Sequence, residues 1–78
     1  MQRTPVQSSN LKSIGHDPKD SVLEVEFQNG QVWQYPGVAA ETHTDLLKQK
    51  SIGSAFHSTI VKGGYKGVDV TRDQGKAR

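Results

Sequence analysis

The chain has no cysteine among its 78 residues, only one tryptophan, and no apolar run near the roughly 20 residues that a membrane-spanning helix needs. Without cysteine, neither a disulfide framework nor a thiolate metal site can hold the fold together, which fits a reducing compartment. The opening M-Q-R-T-P-V-Q-S-S-N has no apolar h-region, so it does not read as a secretory signal, and the cytoplasm is the expected location. His16, His43 and His57 lack the close, repeated spacing of metal ligands. No P-loop, dinucleotide or nucleophile-elbow pattern is present. Ser8, Ser9 and Ser13 lie near His16-Asp17, but a His-Asp pair at the end of a strand reads as turn chemistry rather than as part of a triad. The expectation is a domain that is not an enzyme and carries no cofactor and no metal.

A chain this short has room for one small core and buries only about 60% of its unfolded surface. Its net charge of +2 is unevenly spread. Residues 1–20 hold three bases and two acids, residues 21–50 two bases and four acids, and residues 51–78 five bases and two acids. The basic excess therefore lies at the C-terminal end, where it serves solubility or attracts phosphate backbones.

Residues 1–8, with Pro5, read as a flexible arm, residues 9–65 as one domain, and residues 66–78 as a disordered basic tail. A first strand is expected from Ser9 to His16, with Gly15 offering a bulge, followed by a type I turn at Asp17-Pro18-Lys19-Asp20. In S-V-L-E-V-E-F, Leu23, Val25 and Phe27 alternate with Glu24 and Glu26, the clearest strand pattern in the chain. After Asn29-Gly30, Q-V-W-Q-Y returns as a third strand and stops at Pro36-Gly37. The period changes between Val38 and Lys50, where Ala39, His43, Leu46 and Leu47 form a helical stripe. Ser51 can cap a second helix with Ile52, Ala55, Phe56 and Ile60 on one face, ended by Gly63-Gly64. The predicted class is α+β: a three-stranded antiparallel β-meander followed by two α-helices packed on one face.

The hairpin admits two loops. A two-residue type I′ turn at Asn29-Gly30 would put Trp33 and Tyr35 on the acidic face with Glu24 and Glu26. A three-residue loop, Gln28-Asn29-Gly30, with a left-handed Gly30, would pair Val25 with Trp33 and Leu23 with Tyr35. Burying a large apolar side chain contributes about 1.5–3 kcal/mol, which for two aromatics outweighs the usual preference between turn types. The hydrophobic pattern thus favours the bulged loop and aromatics that are mainly structural. Exposed instead, they could stack on bases, but Glu24 and Glu26 beside them would repel phosphates.

Three stretches, S-S-N-L-K-S-I-G-H-D-P, L-E-V-E-F-Q-N-G-Q-V-W-Q-Y and L-L-K-Q-K-S-I-G-S-A-F, together resemble the KTSC domain family over roughly residues 6–65. That family is a short extension at the C-terminus of some lysyl-tRNA synthetases and also occurs as stand-alone small bacterial proteins. Its central aromatic-x-aromatic motif, usually Tyr-x-Tyr, is matched by Trp33 and Tyr35, and Ser51-Ile52-Gly53 and Phe56 also match. The chain departs from the pattern at His16, where the family often has tyrosine, and at Trp33. Both changes keep a flat ring but remove a phenolic hydroxyl. The resemblance implies RNA binding only by analogy with the attached tRNA-charging enzyme.

The best anion-binding candidate in the sequence is the start of the second helix, whose free N–H groups carry partial positive charge. Ser51 and Gly53 lie there, Lys48 and Lys50 just before, and Lys62 after. The leading expectation is a non-catalytic binding domain with RNA as partner. The alternative is a protein–protein interaction module using the acidic strand face (Glu24, Glu26) or an edge strand.

Overall fold

The computed structural model of the chain describes residues 3–71. Its elements run β1 (Arg3–Pro5), β2 (Leu11–Asp17), β3 (Val22–Phe27), β4 (Val32–Pro36), α1 (Ala40–Leu47), α2 (Ile52–Phe56), a π-helical continuation of α2 (His57–Val61), and β5 (Val68–Asp69). The expected α+β class and the β2–β3–β4 meander are present, and every neighbouring pair of strands is antiparallel. The sheet has five strands, however, in the order β1-β2-β3-β4-β5, where three were expected. The additional strands come from the segments read as an arm and a tail. Both are too short, at three and two residues, for an alternating pattern to show in the sequence. The remainder of the expected basic tail, residues 72–78, lies outside the described residues.

The hairpin takes the bulged form. Val25 pairs with Trp33 and Leu23 with Tyr35. The Phe27 N–H donates to the Gln31 carbonyl at 2.8 Å, and Gly30 has φ +92°. That φ is open to glycine at little steric cost. The first turn also forms as expected, with the Asp17 carboxylate accepting from the N–H groups of Lys19 and Asp20 at 3.0 and 3.4 Å.

The bulge in β2 is displaced from Gly15 to between Leu11 and Ser13, leaving exposed Lys12 as the extra residue. The reason is parity. Leu11 and Ile14 are three apart, so unbroken alternation would turn one of them to solvent, and the extra residue returns both to the core. Gly15 stays in register between Arg3 and Glu24.

One face of the sheet carries Leu11, Ile14, Leu23, Val25 and Tyr35, which join Val38, Leu46, Phe56 and Ile60 in a single buried cluster. Phe56 is its hub, meeting Phe27 and Tyr35 edge-on with ring centroids 5.9 and 5.4 Å away. Both helices therefore cover this face. The helical run ends at Gly63-Gly64 because a Cβ on Gly63 would lie 2.0 Å from the Thr59 carbonyl oxygen and Gly64 has φ +92°. Among the described residues no helix is long and apolar enough to cross a membrane.

The opposite face is a polar network. Directly opposed residues share a face, so Arg3 reaches across side-chain-free Gly15 to Glu24, with which it pairs closely. Its other guanidinium nitrogen lies 3.8 Å from Glu26. Gln34 donates to Glu24 at 2.8 Å and Ser13 to Glu26 at 3.0 Å. Glu24 is only 5% exposed.

Candidate functional site

The α1–α2 junction is built by a short change of direction. Lys48 closes α1, its N–H turned toward the carbonyls of Asp45 and Leu46, and the Gln49 N–H donates to Leu46 at 3.2 Å. Lys48, Gln49, Lys50 and Ser51 are all exposed. Ser51 occupies the position before α2, and its carbonyl accepts from the Ala55 N–H at 3.0 Å. Its hydroxyl, expected to cap the helix, makes no cap hydrogen bond, because the backbone there (φ −113°, ψ 89°) lies outside the usual extended geometry of a cap. The first-turn N–H groups therefore lack a side-chain cap from Ser51.

Gly53 is buttressed from the other end of the domain. A Cβ there would lie 2.8 Å from the Ser8 hydroxyl oxygen. That oxygen also accepts from the N–H groups of Asn10 and Leu11 at 3.2 and 3.3 Å, and Gln28 donates to the Ser8 and Leu11 carbonyls. The S-S-N and S-I-G stretches, distant in sequence, thus meet. Lys62 does not join this group. It ends the helical run ten residues beyond Ile52, roughly 15 Å away at the ordinary rise of a helix.

Beside the junction lies a groove of about 430 Å³ lined by Thr42, Asp45, Leu46 and Gln49 of α1 and by Ala55 and Thr59 of the second helical run. It has a small apolar floor and four polar side chains. Thr59 belongs to the π-helical segment, a kind of distortion frequent at functional sites. Sequence reasoning missed this groove, since its walls belong to two helices whose relative placement no local pattern states.

Both rings of the aromatic pair pack with the core. Tyr35 is buried, which raises its phenol pKa above the ordinary value by desolvation. Trp33 is half-buried, its indole N–H donating to the Gln31 side chain at 3.3 Å. The chain approaching β5 crosses over both rings at Gly67, where a Cβ would fall 2.6 Å from Tyr35 and 2.9 Å from Trp33. Among the described residues, Gly67 thus covers part of both rings.

The sequence also gave no sign that His16 and His43 would meet. Their rings stack with centroids 5.5 Å apart and 15° between planes. His16 Nε2 lies 2.6 Å from the Val38 carbonyl oxygen, and since a carbonyl only accepts, Nε2 carries the proton. His43 Nε2 is buried without a partner among the described residues, and burial, then the neighbouring His16, lowers the His43 pKa. Of the residues considered for a triad, Ser8 accepts from Asn10 and Leu11, Ser13 donates to Glu26, His16 meets Val38, and Asp17 holds its own turn. Among the described residues no three of His, Cys, Asp or Glu gather where they could hold a metal ion.

Comparison with known proteins places this arrangement. The model of the KTSC domain matches residues 7–65. An uncharacterised protein of Stutzerimonas stutzeri is 38% identical over 66 residues, 85% of this chain and 93% of the relative. A protein of Tsukamurella paurometabola is 36% identical over 64 residues, 82% of this chain and 94% of its own. The crystal structure of a KTSC domain protein from Yersinia pestis is similar with a TM-score of 0.79 at 35% identity, covering 87% of this chain and 94% of that one. Sequence match and fold agree: the chain belongs to the KTSC domain family.

Proposed function

We propose that this domain is a non-catalytic RNA-binding module that holds phosphate backbone at the α1–α2 junction. The observation supporting this reading is how the charges are used. Arg3 is engaged by Glu24 and Glu26, whereas Lys48 and Lys50 stand exposed beside a helix start at which Ser51 makes no cap hydrogen bond. Two ammonium groups beside the start of a helix suit a phosphodiester. Lys62, at the far end of the helical run, contributes only long-range attraction.

The magnitude is modest. Neutralising two phosphates on a single strand gives a salt slope of about −1.4, so a fourfold rise in salt weakens binding roughly sevenfold. The test is fluorescence anisotropy of a labelled single-stranded RNA at about 50 and 200 mM salt, with the full chain and with Lys48→Glu/Lys50→Glu. Salt-sensitive binding lost on the double reversal supports the reading. Binding indifferent to both salt and reversal, or absent, rejects it. The alternative of a protein-interaction surface is less well supported. Glu24 is buried under Arg3, and the edge strands are short, one of them ending in Pro5.

A further inference from the structure

The groove between α1 and the second helical run adjoins the lysines of the proposed phosphate contact, because Gln49 on its wall stands between Lys48 and Lys50 in the chain. Its volume lies in the range of small-molecule sites. Its chemistry is specific. Ala55, over buried Leu46, supplies a small apolar surface, Thr42 and Thr59 hydroxyls, Gln49 a carboxamide, and Asp45 one exposed carboxylate. The Asp45 carboxylate forms no ion pair among the described residues. A carboxylate is the wrong group for holding phosphate. Placed beside two lysines, it suits a ligand that offers hydrogen-bond donors and carries its negative charge elsewhere.

We propose that this groove receives one unpaired guanine base of a bound RNA strand, with Asp45 reading the base and Lys48 and Lys50 contacting the flanking phosphates. The inference rests on the RNA-binding reading above and adds the base class. Guanine follows from donor count. Its Watson–Crick edge places the N1–H and the N2 amino group side by side, matching the two oxygens of one carboxylate. Uracil offers a single ring N–H, and adenine and cytosine each a single amino group flanked by an acceptor that a carboxylate repels. The hydroxyls of Thr42 and Thr59 can donate to guanine O6 and N7, while the Gln49 amide donates to the Asp45 backbone carbonyl at 3.3 Å and holds the wall in place. The apolar floor takes the face of the ring, and single-stranded RNA, whose bases can be splayed out, is the form that can enter.

The experiment uses the full chain and short uridine oligonucleotides that carry one central guanosine, inosine, adenosine or cytidine, with affinity read by anisotropy. The guanosine strand is expected to bind roughly tenfold tighter than the adenosine and cytidine strands, the scale of one bidentate base contact. Inosine, which lacks the N2 amino group, should lose most of that margin. Asp45→Asn should abolish the preference, bringing the guanosine strand to the affinity of the adenosine and cytidine strands. Because Asp45 is exposed, this variant keeps the fold. Lys48→Glu/Lys50→Glu should weaken every strand alike. Equal affinity for all four strands, or a guanosine preference that survives Asp45→Asn, overturns the base site while leaving phosphate binding standing. Failure of every strand to bind overturns both.

Discussion

Replacing Arg3 with alanine isolates the side-chain contact by which β1 reaches across β2 to Glu24. Glu24 has a side chain only 6% accessible and Arg3 one 21% accessible, so the pair sits at the boundary of burial. Breaking a fully buried ion pair costs about 3–5 kcal/mol because a charge is left unpaired. Here Gln34 still donates to Glu24, and the Arg3 side admits water, which places the loss nearer 2 kcal/mol. A domain of this size has about 4–12 kcal/mol in all, so the loss is a large share. With a urea slope of about 1 kcal/mol per molar, the midpoint should fall by roughly 2 M. The assay is equilibrium urea unfolding followed by Trp33 fluorescence for the parent, Arg3→Ala, Glu24→Gln and the double variant. Glutamine at position 24 removes the charge that needs Arg3, so the double variant should be more stable than Arg3→Ala alone. A loss below about 0.5 kcal/mol for Arg3→Ala, the size of an exposed pair, would refute the buried-pair account.

Three further outcomes are expected. Phe56→Ala should cost about 3–5 kcal/mol in the same urea assay, since it empties the contact between the helices and both Phe27 and Tyr35, whereas Val61→Ala at a position 45% exposed should stay within about 0.5 kcal/mol. Gly67→Ala puts a methyl 2.6 Å from the Tyr35 ring, and because β5 has only two residues the strand should detach rather than the core repack. The sign of that is red-shifted Trp33 emission and faster exchange of the Val32 amide, which donates to Thr71; unchanged emission and exchange would contradict it. The His43 pKa is lowered in the folded chain, so below the ordinary value of 6.5 the unfolded chain binds its proton more readily. Stability contributed by neutral His43 is thus complete above that value and lost as pH falls toward the folded pKa; thermal melts should show this slope, and His43→Phe should flatten it.

Much of the architecture was legible because it follows from local period and local turn chemistry. Alternation in L-E-V-E-F, the wish to bury Trp33 and Tyr35, and the steric freedom of Gly30 select one hairpin register. The odd spacing of Leu11 and Ile14 held the signal for the β2 bulge, although Gly15 looked the better candidate. At the candidate site, the exposure of Lys48, Lys50 and Ser51 agrees with their sequence position between two helices. The groove beside them was not legible, because Thr42 and Thr59 come within reach only once the helices pack.

The sequence by itself determined the meander, the turns, the apolar stripes of the helices and the family, since each rests on residues within a few positions of one another or on a matched string. Tertiary structure alone decided that Arg3 would cross Gly15 to bury Glu24, that Gly67 would lie on the Trp33 and Tyr35 rings, and that His16 would stack on His43. Each of these joins residues separated by many positions through a strand or contact too short to leave a period. Their energy comes from desolvation and close approach, which exist only after the chain has closed on itself.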